Sequence, residues 1–82
     1  MLSTETIQKA GKMNAWRVRI ASALDRSSYR DYFDEATIVG VHTEHVYGHA
    51  RYVAAVLVWL GELSAEEGMP PDKSLRPADR FV

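Results

Sequence analysis

The first part of the chain carries one clear helical pattern of apolar positions. Four apolar side chains recur at spacings of three and four residues: Met13, Trp16, Ile20 and Leu24. This is the period of the buried face of a helix. Ser3 or Thr4 can cap its start, so the sequence predicts a first helix that runs to about Leu24.

The pattern breaks after this helix and resumes with a shorter apolar face. Ser28 and Asp31 stand three residues apart, an arrangement similar to a capping box, and predict a second helix that begins near Tyr29. The segment of residues 37–42 is rich in β-branched side chains, which disfavour helix. Two interpretations stay open for it. The helix extends through this segment under strain, or the segment is an extended connector or a short strand that pairs across a dimer.

Thr43 can cap a third helix, which is predicted to run from Glu44 to about Ser64. This helix has two apolar stripes instead of one. The first consists of Val46, Ala50, Val53, Leu57 and Leu60, and the second of Tyr52, Val56, Trp59 and Leu63. Because the first two helices of so small a chain can cover one stripe, we expect the same helix of another subunit to cover the second. The chain is therefore predicted to form a homodimer or a higher oligomer.

Regular structure is predicted to stop at Gly68, because two prolines follow closely and proline cannot continue a helix. The predicted organisation is a helical domain of residues 1–67 and an extended C-terminal tail of residues 68–82. The expected fold class is all-α, with about three helices and a long, apolar central helix.

Length and composition limit how this domain can be stabilised. A chain of 82 residues has a thin core, which a disulfide, a metal or a partner chain commonly supports. The absence of cysteine excludes disulfides and cysteine-based zinc sites. No basic start precedes an apolar run at the N-terminus, so we recognise no secretion signal and expect a cytoplasmic location. We expect no membrane partner, because the apolar run from Val53 to Leu60 is too short to span a bilayer. We also expect no cofactor.

All three histidines, His42, His45 and His49, fall within eight residues. On one helix these positions lie on a narrow stripe, so the imidazoles can share a metal ion or a ligand. The segment is not the HExxH motif of zinc proteases, because Val46 stands where that motif has its general-base glutamate. The interpretation that we prefer is that the histidines lie in the first turns of the helix, with their nitrogens bonded to water or to nearby acids. A metal or ligand site is the second hypothesis.

Basic and acidic residues are unevenly distributed along the chain. Residues 1–30 contain six basic and two acidic side chains, a charge of +4, whereas residues 31–82 contain four basic and nine acidic side chains, a charge of −5. Lys12, Arg19 and Arg26 repeat every seven residues on one face of the first helix. Such a face can bind the phosphates of a nucleic acid. The simpler interpretation is that a basic helix lies against the acidic remainder, within one subunit or across a dimer.

No catalytic constellation is recognised, since the serines lie outside any glycine elbow and the glycines are scattered singly. We therefore expect a non-enzymatic protein-protein interaction or regulatory module, of the kind found among phage and bacterial accessory proteins that bind and inhibit a partner. Its expected partners are itself and another protein, and not a nucleic acid.

The expected interaction residues include the types that dominate binding hot spots and their apolar neighbours. They are Tyr47, Arg51, Tyr52, Val56, Trp59 and Leu63. The first alternative function is a metal- or ligand-binding protein that uses the three histidines. The second is a nucleic-acid-binding protein that uses the basic face of the first helix.

Overall fold

In the part of the chain that the structure describes, four α-helices pack around a shared apolar core. The structure is a computed structural model that describes residues 4–43 and 46–71. Its helices are α1 (Thr4–Arg26), α2 (Glu35–Val41), α3 (Gly48–Trp59) and α4 (Ala65–Gly68), with a 3₁₀ turn at Arg30–Tyr32. The described residues contain no β-strand. The all-α class predicted from the sequence is confirmed.

The buried face of α1 is the one that the apolar period predicts. Its four core side chains, each at most 2% exposed, are Met13, Trp16, Ile20 and Leu24. The same core contains Ala50, Val53, Ala54 and Leu57 from α3. The predicted stripe is thus confirmed, and α1 continues to Arg26.

The connection between α1 and α2 differs from the prediction. The predicted helix start at Tyr29 is wrong, because the hydroxyl of Ser27 accepts a hydrogen bond from the Tyr29 backbone N–H and the chain turns there. Instead, α2 follows Asp34, whose side chain accepts a hydrogen bond of 2.8 Å from the backbone N–H three residues later. Residues 37–41 are helical. This cap and the burial of Val41 outweigh the low helix propensity of the β-branched residues.

The predicted third helix of residues 44–64 is wrong at both ends, since α3 covers only Gly48–Trp59. Thr43, the expected N-cap, lies at the end of the preceding helix. Its hydroxyl donates a hydrogen bond of 3.0 Å to the carbonyl oxygen of Val39. Thr43 therefore adds a second hydrogen bond to a carbonyl group in the last turn of α2, which also accepts one of 3.0 Å from the His42 N–H.

The C-terminus of α3 is closed by a Schellman arrangement at Gly61. This glycine has a φ of +81°, a left-handed conformation that glycine adopts without strain. The backbone N–H groups of Gly61 and Glu62 donate hydrogen bonds of 3.0 and 2.8 Å to the carbonyl oxygens of Val58 and Leu57, respectively. This is the pattern that ends a helix at a glycine, so α3 stops although the apolar period continues to Leu63.

α4 was not expected from the sequence and is specified by a capping box. The Glu67 N–H donates a hydrogen bond of 3.0 Å to the Ser64 hydroxyl, and the Ser64 N–H donates one of 3.1 Å to the Glu67 carboxylate. These hydrogen bonds hold the pKa of Glu67 below its ordinary value. The carbonyl oxygen of Glu67 also accepts a hydrogen bond of 3.0 Å from the indole N–H of Trp16. The short last helix is thereby fixed to α1.

A buried arginine ties α1 to the end of α2. Arg17 is only 4% exposed, and its guanidinium donates a hydrogen bond of 2.8 Å to the carbonyl oxygen of Val41. It also donates hydrogen bonds of 3.1 and 3.0 Å to the side-chain oxygen of Asn14. A cation at the C-terminus of a helix interacts favourably with the helix dipole. The side chain therefore acts as a cap supplied from a neighbouring helix.

The predicted division into a domain of residues 1–67 and a tail of residues 68–82 can be compared with the structure only up to residue 71. Gly68, the first residue of the predicted tail, is the last residue of α4. Residues 72–82 lie outside the described residues, so the extended tail stays a prediction.

Candidate functional site

One face of α3 combines exposed aromatic side chains with small residues. Successive residues of a helix are about 100° apart around its axis. Five residues of α3 therefore lie within one arc of about 100°: Gly48, Tyr52, Ala55, Val56 and Trp59. We call these five residues the α3 surface. Trp59 is 83% exposed and Tyr52 is 58% exposed. None of the five is charged, so the α3 surface is an apolar strip open to solvent.

The rest of the helix holds this surface in place. The opposite face of α3 is buried in the core through Ala50, Val53, Ala54 and Leu57. Tyr52 is also supported from the side, because its ring packs edge-on against Phe33 with 6.1 Å between ring centroids and 86° between ring planes. Phe33 itself packs against the core. The exposed aromatic face thus has a rigid base.

The structure locates the predicted interaction residues in different environments. Tyr52 and Trp59 are exposed, and Val56 is partly exposed between them on the α3 surface. Arg51 and Leu63 are partly buried, and Leu63 packs against the core.

Tyr47, predicted as an interaction residue, belongs to the core instead. It is 7% exposed, and its hydroxyl donates a hydrogen bond of 3.3 Å to the carbonyl oxygen of Ala10 in α1. Tyr47 and Tyr52 are five residues apart, so at about 100° per residue their side chains lie about 140° apart around a helix. Tyr47 therefore lies on the same side as Ala54, seven residues later, which is buried in the core.

Two members of the α3 surface, Gly48 and Ala55, were not predicted as interaction residues. They are small, and the sequence reasoning selected large aromatic and basic side chains. The signal that could have identified them is position alone, since both lie on the same helical stripe as Tyr52 and Trp59. Their importance lies in the space that they leave open.

The predicted histidine stripe falls in a region where the helix is interrupted. His42 follows α2, and its Nε2 lies 3.2 Å from Oδ1 of Asp25 in α1. His49 lies in the first turn of α3, and His45 lies outside the described residues. Among the residues that the structure describes, no group of three or more histidine or carboxylate side chains is arranged to hold a metal ion. The proposed role of His45 stays a prediction.

His49 packs tightly against α2. An added Cβ at Gly40 would lie only 2.2 Å from Nδ1 of its ring. This nitrogen is enclosed and forms no hydrogen bond with any residue that the structure describes. The hydrogen bonds from Thr37, with a smaller contribution from nearby His49, hold the pKa of Asp34 below its ordinary value. The histidine thus serves the contact between α2 and α3.

The predicted basic face of α1 borders acidic residues of the same chain. Arg19 and Arg26 line one side of a groove of about 280 Å³, and Glu67 lines the other. The groove continues past Glu66 at one end and Glu62 at the other. These acids reduce the positive potential that a phosphate would meet at Arg19 and Arg26. Lys12 is exposed further along α1. The arrangement favours the interpretation in which the basic helix faces acids of its own chain.

Two further findings concern membrane-spanning helices and similarity to known proteins. Of the helices within the described ranges, none combines the length and hydropathy needed to cross a lipid bilayer. The sequence matches no protein-family model, and comparisons with curated proteins and with solved structures find no significant similarity.

Proposed function

We propose that this protein is a non-enzymatic interaction module that binds another protein through the α3 surface. The observation that carries the proposal is the exposure of Trp59, at 83%, on a face that contains no charge. Tryptophan and tyrosine are the side chains most enriched among the residues that dominate binding energy. Transferring such a side chain from water into an interface stabilises the complex by about 1.5–3 kcal/mol.

The rigidity of the surface supports the same proposal. Tyr52 is braced by Phe33, and the base of the helix is fully buried. A preorganised aromatic face loses little conformational entropy when a partner binds. The inhibitory role, the cytoplasmic location and the phage or bacterial source suggested by the sequence belong to this proposal. They rest on size and composition alone.

Site-specific photo-crosslinking in cells tests the proposal. A photoreactive phenylalanine derivative replaces Trp59 in one variant and exposed Ala15 of α1 in a control variant. We expect a protein adduct of defined mass at position 59 and none at position 15. The additional substitution Ala55→Asp places a charge in the α3 surface and should abolish the adduct, whereas the matched substitution Ala15→Asp, at an exposed position of α1, should not.

Circular dichroism must show that each variant keeps its helix content. An adduct at both positions, or one that Ala55→Asp leaves unchanged, would show that the α3 surface is not the binding site. The absence of any adduct at position 59 would also contradict the proposal.

A further inference from the structure

We propose that one occupant of the α3 surface is a second copy of this chain, packed as an antiparallel pair of α3 helices about a two-fold axis. This inference rests on the proposed function, because it assigns a specific partner to the same surface. The occupant is identified by shape, charge and area, each of which follows from residues on α3.

The shape of the α3 surface is complementary to itself. The two-fold axis lies on the exposed side of α3, at the level midway between residues 53 and 54. It places Gly48 of one copy opposite Trp59 of the other. The same axis places Tyr52 opposite Ala55. Each large aromatic side chain therefore meets a small residue, and both contacts occur twice because the interface is isologous. Such alternation lets two helices approach closely and fill the space between them.

Gly48 supports this arrangement because no contact among the described residues requires a glycine there. Among the residues that the structure describes, an added Cβ at Gly48 would meet no atom within 4 Å, in contrast to the crowding at Gly40. The left-handed backbone conformation that favours glycine occurs at Gly61, not at Gly48. The open space at Gly48 is explained if the indole ring of Trp59 from a second copy occupies it.

Charge and area determine how strong the pair should be. The α3 surface has no charged residue, so two copies meet without like-charge repulsion. Trp59 and Tyr52, at 83% and 58% exposure, together offer about 300 Å² per copy. Two copies therefore contribute about 600 Å² from their tryptophan and tyrosine side chains. The other residues of the α3 surface are small or partly buried, so the interface lies below the size of standard specific complexes, about 1,200 Å², and in the range of weak and transient ones. We therefore expect a weak, reversible dimer with a Kd in the micromolar range.

Sedimentation velocity on the purified chain provides the first test. Over a concentration range from about 1 to about 500 µM, which brackets a micromolar Kd, the wild-type protein should shift from monomer to dimer. Gly48→Leu fills the space that receives Trp59 and should raise the Kd at least about tenfold. The matched control is Gly11→Leu, because Gly11 lies in α1 and none of the described residues has an atom within 4 Å of its added Cβ. This control should leave the Kd unchanged.

Disulfide trapping provides the second test and reports the register. The chain has no cysteine of its own, so Gly48→Cys and Trp59→Cys each introduce a single thiol. Mixed under mild oxidation, the two variants should form the 48–59 disulfide preferentially. In the antiparallel pair, the two positions 48 lie about 16 Å apart along the axis. This distance is beyond the reach of about 7 Å for a disulfide.

The outcomes separate this inference from the proposed function. A wild-type dimer that Gly48→Leu weakens, together with the 48–59 disulfide, supports the antiparallel pair. A predominant 48–48 disulfide, or a dimer that Gly48→Leu leaves unchanged, overturns it. A purified chain that stays monomeric also overturns it. In that case, an adduct with a different protein at position 59 in cells would leave the proposed function standing.

Discussion

The contact between Gly40 and His49 gives the sharpest prediction about stability. The perturbation is Gly40→Ala, which adds one methyl group to α2. The new Cβ would lie 2.2, 2.5 and 2.7 Å from Nδ1, Cγ and Cε1 of the His49 ring, respectively. Because these atoms include the base of the ring, the whole imidazole and the first turn of α3 must shift to make room.

The expected magnitude follows from two opposing effects. Overpacking of this kind costs about 1–3 kcal/mol, while replacing glycine by alanine inside a helix contributes about 1 kcal/mol of stability. Gly11→Ala in α1 receives the same propensity gain without a clash with any described residue, because none has an atom within 4 Å of the added Cβ. The difference in the free energy of unfolding between the two variants should therefore be about 1–3 kcal/mol.

Chemical and thermal unfolding followed by circular dichroism measures this difference. For a domain of this size, about 1 kcal/mol corresponds to a Tm shift of about 4–8 °C. We expect Gly11→Ala to unfold at a higher temperature than the wild-type protein and Gly40→Ala at a lower temperature than Gly11→Ala. In the double variant Gly40→Ala/His49→Ala, the clash is removed and the cost of the added methyl group should disappear.

Equal stabilisation by Gly40→Ala and Gly11→Ala would refute this reasoning. It would show that the ring of His49 does not pack against α2 as described. The position of the α3 N-terminus would then also be in doubt, because His49 lies in its first turn.

Two further predictions concern the ends of α2. Arg17→Met removes the hydrogen bond to the Val41 carbonyl oxygen and should lower the free energy of unfolding, measured in urea, by about 1–3 kcal/mol. The control Arg19→Met, at an exposed position, should change it by less than about 0.5 kcal/mol. Equal effects of the two substitutions would contradict the capping role of Arg17. The pKa of Asp34 is lowered in the folded state by the hydrogen bonds from Thr37, so its contribution to stability is present above the pKa of the unfolded chain and is lost as the pH falls through the folded pKa, below about pH 4. Asp34→Asn should reduce this acid dependence of Tm, and an unchanged dependence would exclude the N-cap as its source.

Local sequence patterns predicted α1 and its buried face because both depend on periodicity within one segment. Met13, Trp16 and Ile20 face the core for this reason. The end of α3 was missed because the apolar period runs on to Leu63, past the backbone reversal at Gly61. A glycine followed by the S-x-x-E pattern of Ser64 is a sequence signal for that reversal. It competes with the longer apolar period.

Residues 37–41 are helical because of interactions with residues outside this segment. Its β-branched residues disfavour helix locally, but the N-cap at Asp34 and the burial of Val41 favour it. The small residue at Gly40 also makes room for His49. Contacts with other helices thus decide a segment whose own propensities are ambiguous.

The sequence predicted which residues of the candidate site share one side of a helix, but not which side of that helix the rest of the chain leaves exposed. Periodicity placed Tyr52, Val56 and Trp59 on one side of a helix. Which stripe the protein covers depends on how α1, α2 and α4 pack around α3. Tyr47 adjoins the predicted interaction residues in the sequence, but a step of five residues along a helix turns its side chain about 140° away from that of Tyr52 and into the core.

The hydrogen bond from Trp16 to Glu67 has a consequence for synthesis on the ribosome. The two residues are 51 positions apart in the chain, and translation proceeds at about 5–20 residues per second. The first helix therefore waits about 3–10 s for the carbonyl group that its tryptophan will meet. The attachment of α4 to α1 is therefore among the last contacts that synthesis permits, because it needs nearly the whole of the described chain.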